Sequence, residues 1–252
     1  MLKLSYFDLL SPVPIQFQNV GSIISPTLRD IALIGHDTYQ YYLSILLLDL
    51  KTYMSMIGSP KNNDFFENEK FKMNIFELLT ATEQSVLLLQ NILNFFIKED
   101  VLYSSDQSNF IVKDNLKEIG VITKENYPQV CDLIYQRNCI KSEKNDNLSK
   151  VKSKKALEIM EKLKKGRAEK AKQQKIDKNM ELGNIISAVA NKSQSLNIIN
   201  IWDLTIYQLW DCFSRLSNNN IYDIQSMSVA AWGDKDNHFD TTAWFKRMDT
   251  DN

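Results

Sequence analysis

Glycine and proline are scarce, with seven and five in 252 residues. A sandwich or barrel of many short strands needs more of both for its turns. The low counts, together with abundant Lys, Glu, Leu and Ile, point to a mainly α fold. Cysteine is scarce as well: Cys131, Cys139 and Cys212 form an odd set with no C-x-x-C spacing, which argues against a disulfide framework and against a zinc knuckle. His36 and His238 are the only histidines, and neither stands in a pattern that pairs it with a nucleophile or with metal ligands. Also missing are G-x-x-x-x-G-K-[ST], G-x-G-x-x-G and G-x-S-x-G, the turns that cradle phosphate or expose a nucleophilic serine. The expectation is a protein that is not an enzyme and uses no cofactor.

Neither sign of charge dominates. Thirty Lys and Arg against 31 Asp and Glu leave a net charge of −1 and a pI near 6.2, so no global field draws the molecule to nucleic acid or to an anionic membrane. Long hydrophobic runs are lacking too. Leu43 to Leu50 and Val86 to Ile97 fall short of the roughly 20 apolar residues that cross a bilayer, and Asp49, Gln90, Asn91 and Asn94 interrupt them. The first residues, MLKLSYFDLLSPVPIQF, carry no apolar stretch closed by a small-residue cleavage site. A soluble cytoplasmic protein without a membrane partner is expected, long enough to bury a core without disulfides or metal.

What is present is helical periodicity. Ser25-Pro26 suits the start of a short helix to about Leu33, with serine as cap and proline in the first turn. After Gly35 and His36, Asp37 is positioned to cap a second helix running to Ile57 and ending at Gly58. Asp37, Gln40, Ser44, Lys51 and Ser55 share one polar stripe of that helix, and Leu48 lies on it. In a further helix over Asn74 to Lys98, Leu87 sits among Glu83, Gln84, Gln90, Asn91, Asn94 and Lys98. An apolar side chain on a polar stripe marks a docking patch, so Leu48 and Leu87 are partner-binding candidates. Two apolar runs on either side of Ser104 to Ser108 predict a small hairpin near 101–113 that leans on the helices. Thr123 is placed to cap a helix to about Asn138, with Pro128 in its first turn.

The composition changes after Lys141. Between Lys150 and Lys178 twelve cations face four anions, a local excess of eight positive charges. Leu157, Met160 and Leu163 make one weak apolar seam, but from Lys164 to Lys175 only Gly166, Ala168 and Ala171 are non-polar. A solvated linker helix fits this best. Phosphate contact through Lys162, Lys164, Lys165 and Arg167 is the alternative, and it would be strongly salt-dependent. With no aromatic for base stacking and one arginine for bidentate readout, the segment disfavours a specific nucleic-acid partner.

All four tryptophans fall in the last part: Trp202, Trp210, Trp232 and Trp244. Trp202, Ile206, Leu209, Trp210 and Phe213 recur at i, i+4, i+7, i+8 and i+11, one apolar face of a helix over Asn200 to Leu216. Spacing favours a core role for that face, with an anchoring surface as the other reading, and Trp202, Trp210 and Phe213 join the partner-binding candidates. Asn218-Asn219-Asn220 is expected to break the helix before another runs from Ile221 to Trp232, closed by Gly233. Asp234, Asp236, His238 and Asp240 alternate as in a calcium loop. The loop glycine and closing glutamate are lacking, so a polar turn with Asp240 capping a last helix is expected, and no metal. The predicted organisation is a multi-helix N-terminal lobe over 1–142, a basic linker helix over 143–182, and a small Trp-rich helical lobe over 183–252.

Two segments carry a resemblance. NIISAVANKSQSLNIINIWDLTIYQLWDCFSRL with DIQSMSVAAWGDKDNHFDTTAWFKRM, and ISPTLRDIALIGHDTYQYYLSIL nearer the start, are similar to proteins encoded among the tail genes of long-tailed phages of Gram-positive hosts, described as tail assembly chaperones or as phage proteins without an assigned role. The resemblance covers about half the chain and includes no motif of diagnostic chemistry. It implies a viral protein of the host cytoplasm that covers apolar helices of a client such as the tape-measure protein, with the tail-tube protein and self-association as further contacts. A nucleic-acid-associated phage protein and a structural virion component are the alternatives.

Overall fold

The computed structural model describes residues 2–50, 74–140, 177–234 and 238–248. Helices predominate among them, with two small antiparallel sheets, one of two strands and one of three. The chain divides into two compact units. One comprises Met1–Ile140, Trp202–Asp211 and Arg247–Asn252; the other comprises Lys141–Ile201 and Cys212–Lys246. Trp202–Asp211, which the boundary at 183 assigns to a C-terminal lobe, thus clusters with the N-terminal residues.

In the first unit, short helices start where a side chain caps them. Ser5 with Asp8, Thr27 with Asp30, Asn74 with Glu77 and Thr82 with Ser85 each form a reciprocal capping box, satisfying amides that the first helical turn leaves without partners. Two expectations are corrected here. The cap of the Leu28–Ile34 helix is Thr27, not Ser25. Ser25 is buried and its hydroxyl donates to the Arg137 carbonyl at 2.9 Å. The single helix expected over Asn74 to Lys98 is two, Ile75–Leu79 and Glu83–Phe96, because the Thr82 box starts a new helix three residues after the first has ended.

The helix expected to run from Asp37 to Ile57 spans His36–Leu46, with Gly35 at its N-cap (φ 87°) and no side-chain cap. Tyr39, Leu43 and Leu46 are its buried positions, and the Tyr39 hydroxyl donates to Asn138 Oδ1 at 2.8 Å. Leu47 to Asp49 are not helical, so the expectation of one helix through to Ile57 is corrected; residues 51–73 lie outside the described residues.

The hairpin near 101–113 is present as β3 (Asp100–Ser104) and β4 (Asn109–Asp114), and a third strand, β5 (Lys117–Ile122), extends it. Asn115 and Leu116 make the second turn, both at positive φ (47° and 72°), as a two-residue hairpin loop requires. The glycine that usually signals such a turn is absent. Val101, Phe110, Val112 and Ile122 line the buried face of the sheet. Phe76 meets Phe110 edge-on at 6.0 Å and lies 5.2 Å from Tyr127, so the Ile75–Leu79 helix packs against that face and touches the Tyr127–Arg137 helix. Leu89, Ile92, Leu93 and Phe96 complete the core at i, i+3, i+4 and i+7.

β1 (Ile15–Phe17) and β2 (Gly21–Ile23) form the other sheet. β2 is also held by Glu99, whose carboxylate accepts from the Ser22 amide at 2.8 Å and from the Ser22 hydroxyl. The turn before β2 presses on β5. An added Cβ at Gly120 would lie 2.6 Å from the carbonyl oxygens of Asn19 and Val20, so only glycine permits that approach.

Arg137 ends its helix fully buried. Its guanidinium donates to the carbonyls of Asp8 (2.6 Å), Ser11 (2.9 Å) and Val13 (3.1 Å), and burial pulls its pKa below the ordinary value while Asp8 opposes the shift.

The second unit contains the 3-10 turn Lys178–Met180, the Leu182–Lys192 helix and the greater part of the Ile206–Trp232 helix. That last helix is continuous through Asn218–Asn220, which corrects the expected break. Asparagine costs a helix interior only about 0.7 kcal/mol relative to alanine, far from the ~3 kcal/mol of proline. Its start lies at Ile206, later than expected. Thr205 and Gln208 form the boundary: the Thr205 amide donates to Gln208 Oε1 at 2.9 Å and the Gln208 amide to Thr205 Oγ1 at 3.2 Å. Trp202 consequently sits in a separate 3-10 turn, Ile201–Asp203.

Candidate protein-binding surface

The expected candidates separate. Leu87 projects into solvent from the Glu83–Phe96 helix, 58% exposed. Leu48 lies beyond the end of the His36–Leu46 helix and is half-buried, so it belongs to no helical stripe. Along the Trp202 face, Ile206 and Leu209 are buried while Trp202, Trp210 and Phe213 are half-buried. Lys162, Lys164, Lys165 and Arg167 lie outside the described residues.

A further apolar surface lies within the stretch expected as the Ile221 to Trp232 helix. At the roughly 100° per residue of an α-helix, Ile221, Ile224, Met227, Ala231 and Trp232 fall within an arc of about 140°. All five are exposed, Ile224 by 58%, Met227 by 64% and Trp232 by 78%. Tyr222, Ser226 and Val229, on a different side of the helix, are half-buried. From Leu216 to Gly233 the only charged residue is Asp223. The spacing of Ile221, Ile224 and Met227 is legible in the sequence. Its exposure is not.

A second apolar feature of the same unit is held firmly. Arg215 donates to the Lys246 carbonyl at 2.8 Å, and Asn218 donates to the Ala243 carbonyl at 2.7 Å. Phe239 stacks on Tyr222 with ring centroids 5.4 Å apart. These ties fix the 3-10 turn Ala243–Phe245 along the helix, yet Trp244 and Phe245 stay exposed, in edge contact at 4.9 Å. Aromatic side chains pre-positioned at a surface lose little entropy on contact, which is why such residues dominate binding sites.

The acidic turn before them is built by backbone contacts. Asp234 accepts from the amides of His238 (3.0 Å) and Phe239 (2.9 Å). Asp240 accepts from the Thr242 amide (2.9 Å) and hydroxyl (2.6 Å) and pairs with Lys246. Lys246 first, then Thr242, holds the Asp240 carboxyl well below the usual carboxylate range. Asp236 lies outside the described residues, and among those described no group of three or more His, Cys, Asp or Glu is placed to hold a metal ion. His36 pairs with Gln40 at 3.3 Å. No helix among the described residues is long and apolar enough to cross a membrane.

Residues 170–249 match the YomV second domain. The YomV family is phage-associated, and the matched stretch takes in the exposed stripe, the Trp244–Phe245 pair and the acidic turn between them. No curated protein and no solved structure matches the chain.

Proposed function

We propose that the protein is a phage assembly factor of the host cytoplasm that binds apolar helices of another tail protein, the tape-measure protein first, and shields them until the tail tube encloses them. The observation that carries this reading is the solvent-facing stripe Ile221, Ile224, Met227 and Trp232 on an almost uncharged stretch of helix. A client helix with anchors at i, i+3, i+4 and i+7 fits such a face. Fully burying one of these side chains is worth about 1.5–3 kcal/mol, so a few shared contacts give a weak, reversible bond. Many copies along one long client then add avidity. The phage-associated family matched over 170–249 supports a phage context, and the absence of charge along the stripe favours an apolar protein partner over nucleic acid.

Co-expression with a tape-measure protein tests it. The client is expected to move from the insoluble to the soluble fraction, and Ile224→Lys with Met227→Lys is expected to return it to the pellet while the helix signal in circular dichroism is retained. A client that stays insoluble with the unaltered protein, or stays soluble with the double variant, removes the proposal.

A further inference from the structure

The residues before β1 pack unlike the rest of the first unit. The Tyr6–Leu10 helix has no fully buried side chain, Tyr6, Leu9 and Leu10 being half-buried, and Leu2, Phe7 and Val13 are exposed. Leu4 is the one buried apolar residue in Leu2 to Val13. Beside those apolar contacts, polar ties hold this segment from three places. Gln136 donates to the Leu2 carbonyl and accepts from the Leu4 amide, both at 2.9 Å. The Arg137 fork takes the carbonyls of Asp8, Ser11 and Val13, at the end of the short helix where the backbone dipole presents negative charge. Gln208 donates to the Leu10 carbonyl at 2.8 Å. The Tyr6 hydroxyl donates to Asp211 at 2.5 Å, and the Arg247 guanidinium lies 5.6 Å over the Tyr6 ring.

Water can replace every one of these partners. Hydrogen bonds exchanged for solvent give back little net free energy, whereas a strand of the core would have to expose its apolar face. Arg137 also regains hydration when the segment leaves, which relieves the cost that burial places on its charge. We propose that Leu2 to Val13 is a releasable strap, a segment that undocks as a unit and uncovers Arg137 while the β3–β4–β5 sheet behind it stays folded.

Native-state hydrogen exchange on the full chain, followed in low urea, tests this. The amides of Leu4, Leu9 and Ser11, bonded to Gln136, Ser5 and Phe7 respectively, report the strap. Those of β4 report the core. Strap amides are expected to exchange through an opening nearly independent of urea, and β4 amides through one that steepens with urea. Tyr6→Phe and Gln136→Ala, each removing strap contacts, are expected to speed the strap amides by up to about tenfold and leave β4 unchanged. If Leu9 and Ser11 exchange with the same urea slope as β4, or if the two variants leave them unaffected, the strap is an integral part of the core and the proposal fails.

Discussion

Asn94 closes the edge of a sheet to which its own helix does not belong: its side-chain amide donates to the Val101 carbonyl at 2.9 Å, and its oxygen accepts from the Val101 amide at 2.8 Å. Gln90 repeats the device one turn earlier, accepting from the Tyr103 amide at 2.9 Å. Two side chains of the Glu83–Phe96 helix therefore do what a neighbouring strand would do for β3, and they blunt an edge that could otherwise pair with another chain. Replacing Asn94 by Ala leaves both Val101 groups without partners. A loss of about 2 kcal/mol is expected, read as a lower urea midpoint, with Asn94→Gln recovering little because its longer arm overshoots.

Gly120 and Gly183 should respond to the same substitution with opposite sign. At Gly120 a methyl would meet backbone oxygens at 2.6 Å. Gly120→Ala is expected to cost about 1–3 kcal/mol, despite the entropy it removes from the unfolded chain. Nothing lies within 4 Å of a Cβ at Gly183, so Gly183→Ala is expected to stabilise by about 0.4–1 kcal/mol. Thermal melts of the two variants check both signs.

Continuity of the Ile206–Trp232 helix at its asparagines can be tested directly. Asn219 is exposed. Asn219→Ala is expected to stabilise by about 0.5 kcal/mol and Asn219→Pro to cost about 3 kcal/mol with loss of helical ellipticity. Equal, near-zero effects from the two would mean a loop at this position.

Asp240 gives a pH dependence of definite sign. Its pKa is depressed in the folded state by Lys246 and Thr242, so its contribution to stability is complete above the unfolded value near 3.9. It declines as pH falls below that value and vanishes once the folded carboxyl is protonated. The difference in urea midpoint between the native chain and Asp240→Asn should be widest at neutral pH and should close on acidification.

For the basic segment the expected outcome is negative. A mobility-shift titration against duplex DNA at low and physiological salt should show retardation, if any, only at low salt. A complex that survives physiological salt and is lost on neutralising Lys162, Lys164, Lys165 and Arg167 would favour the nucleic-acid reading instead.

The amino-acid sequence by itself determined the helical character, the hairpin near 101–113, the helix through Leu133 and the apolar periods of the long helix, because each rests on spacing within a dozen residues. The boxes Thr27-x-x-Asp30 and Thr205-x-x-Gln208 also stand in the sequence, but Ser25-Pro26 and the Trp202 period pointed to earlier helix starts. Local pattern did not reveal β5, whose turn uses Asn-Leu where glycine is the usual signal. It did not reveal β1 and β2 either, three residues each, too short for alternation to register. Tertiary structure alone decided that Arg137 is buried against carbonyls far away in sequence, and that Trp202 and Trp210 turn partly inward while Ile224 and Met227 face water. Periodicity says which residues share a face. Whether that face is covered depends on what the rest of the chain brings against it, and that is set by contacts between residues distant in sequence.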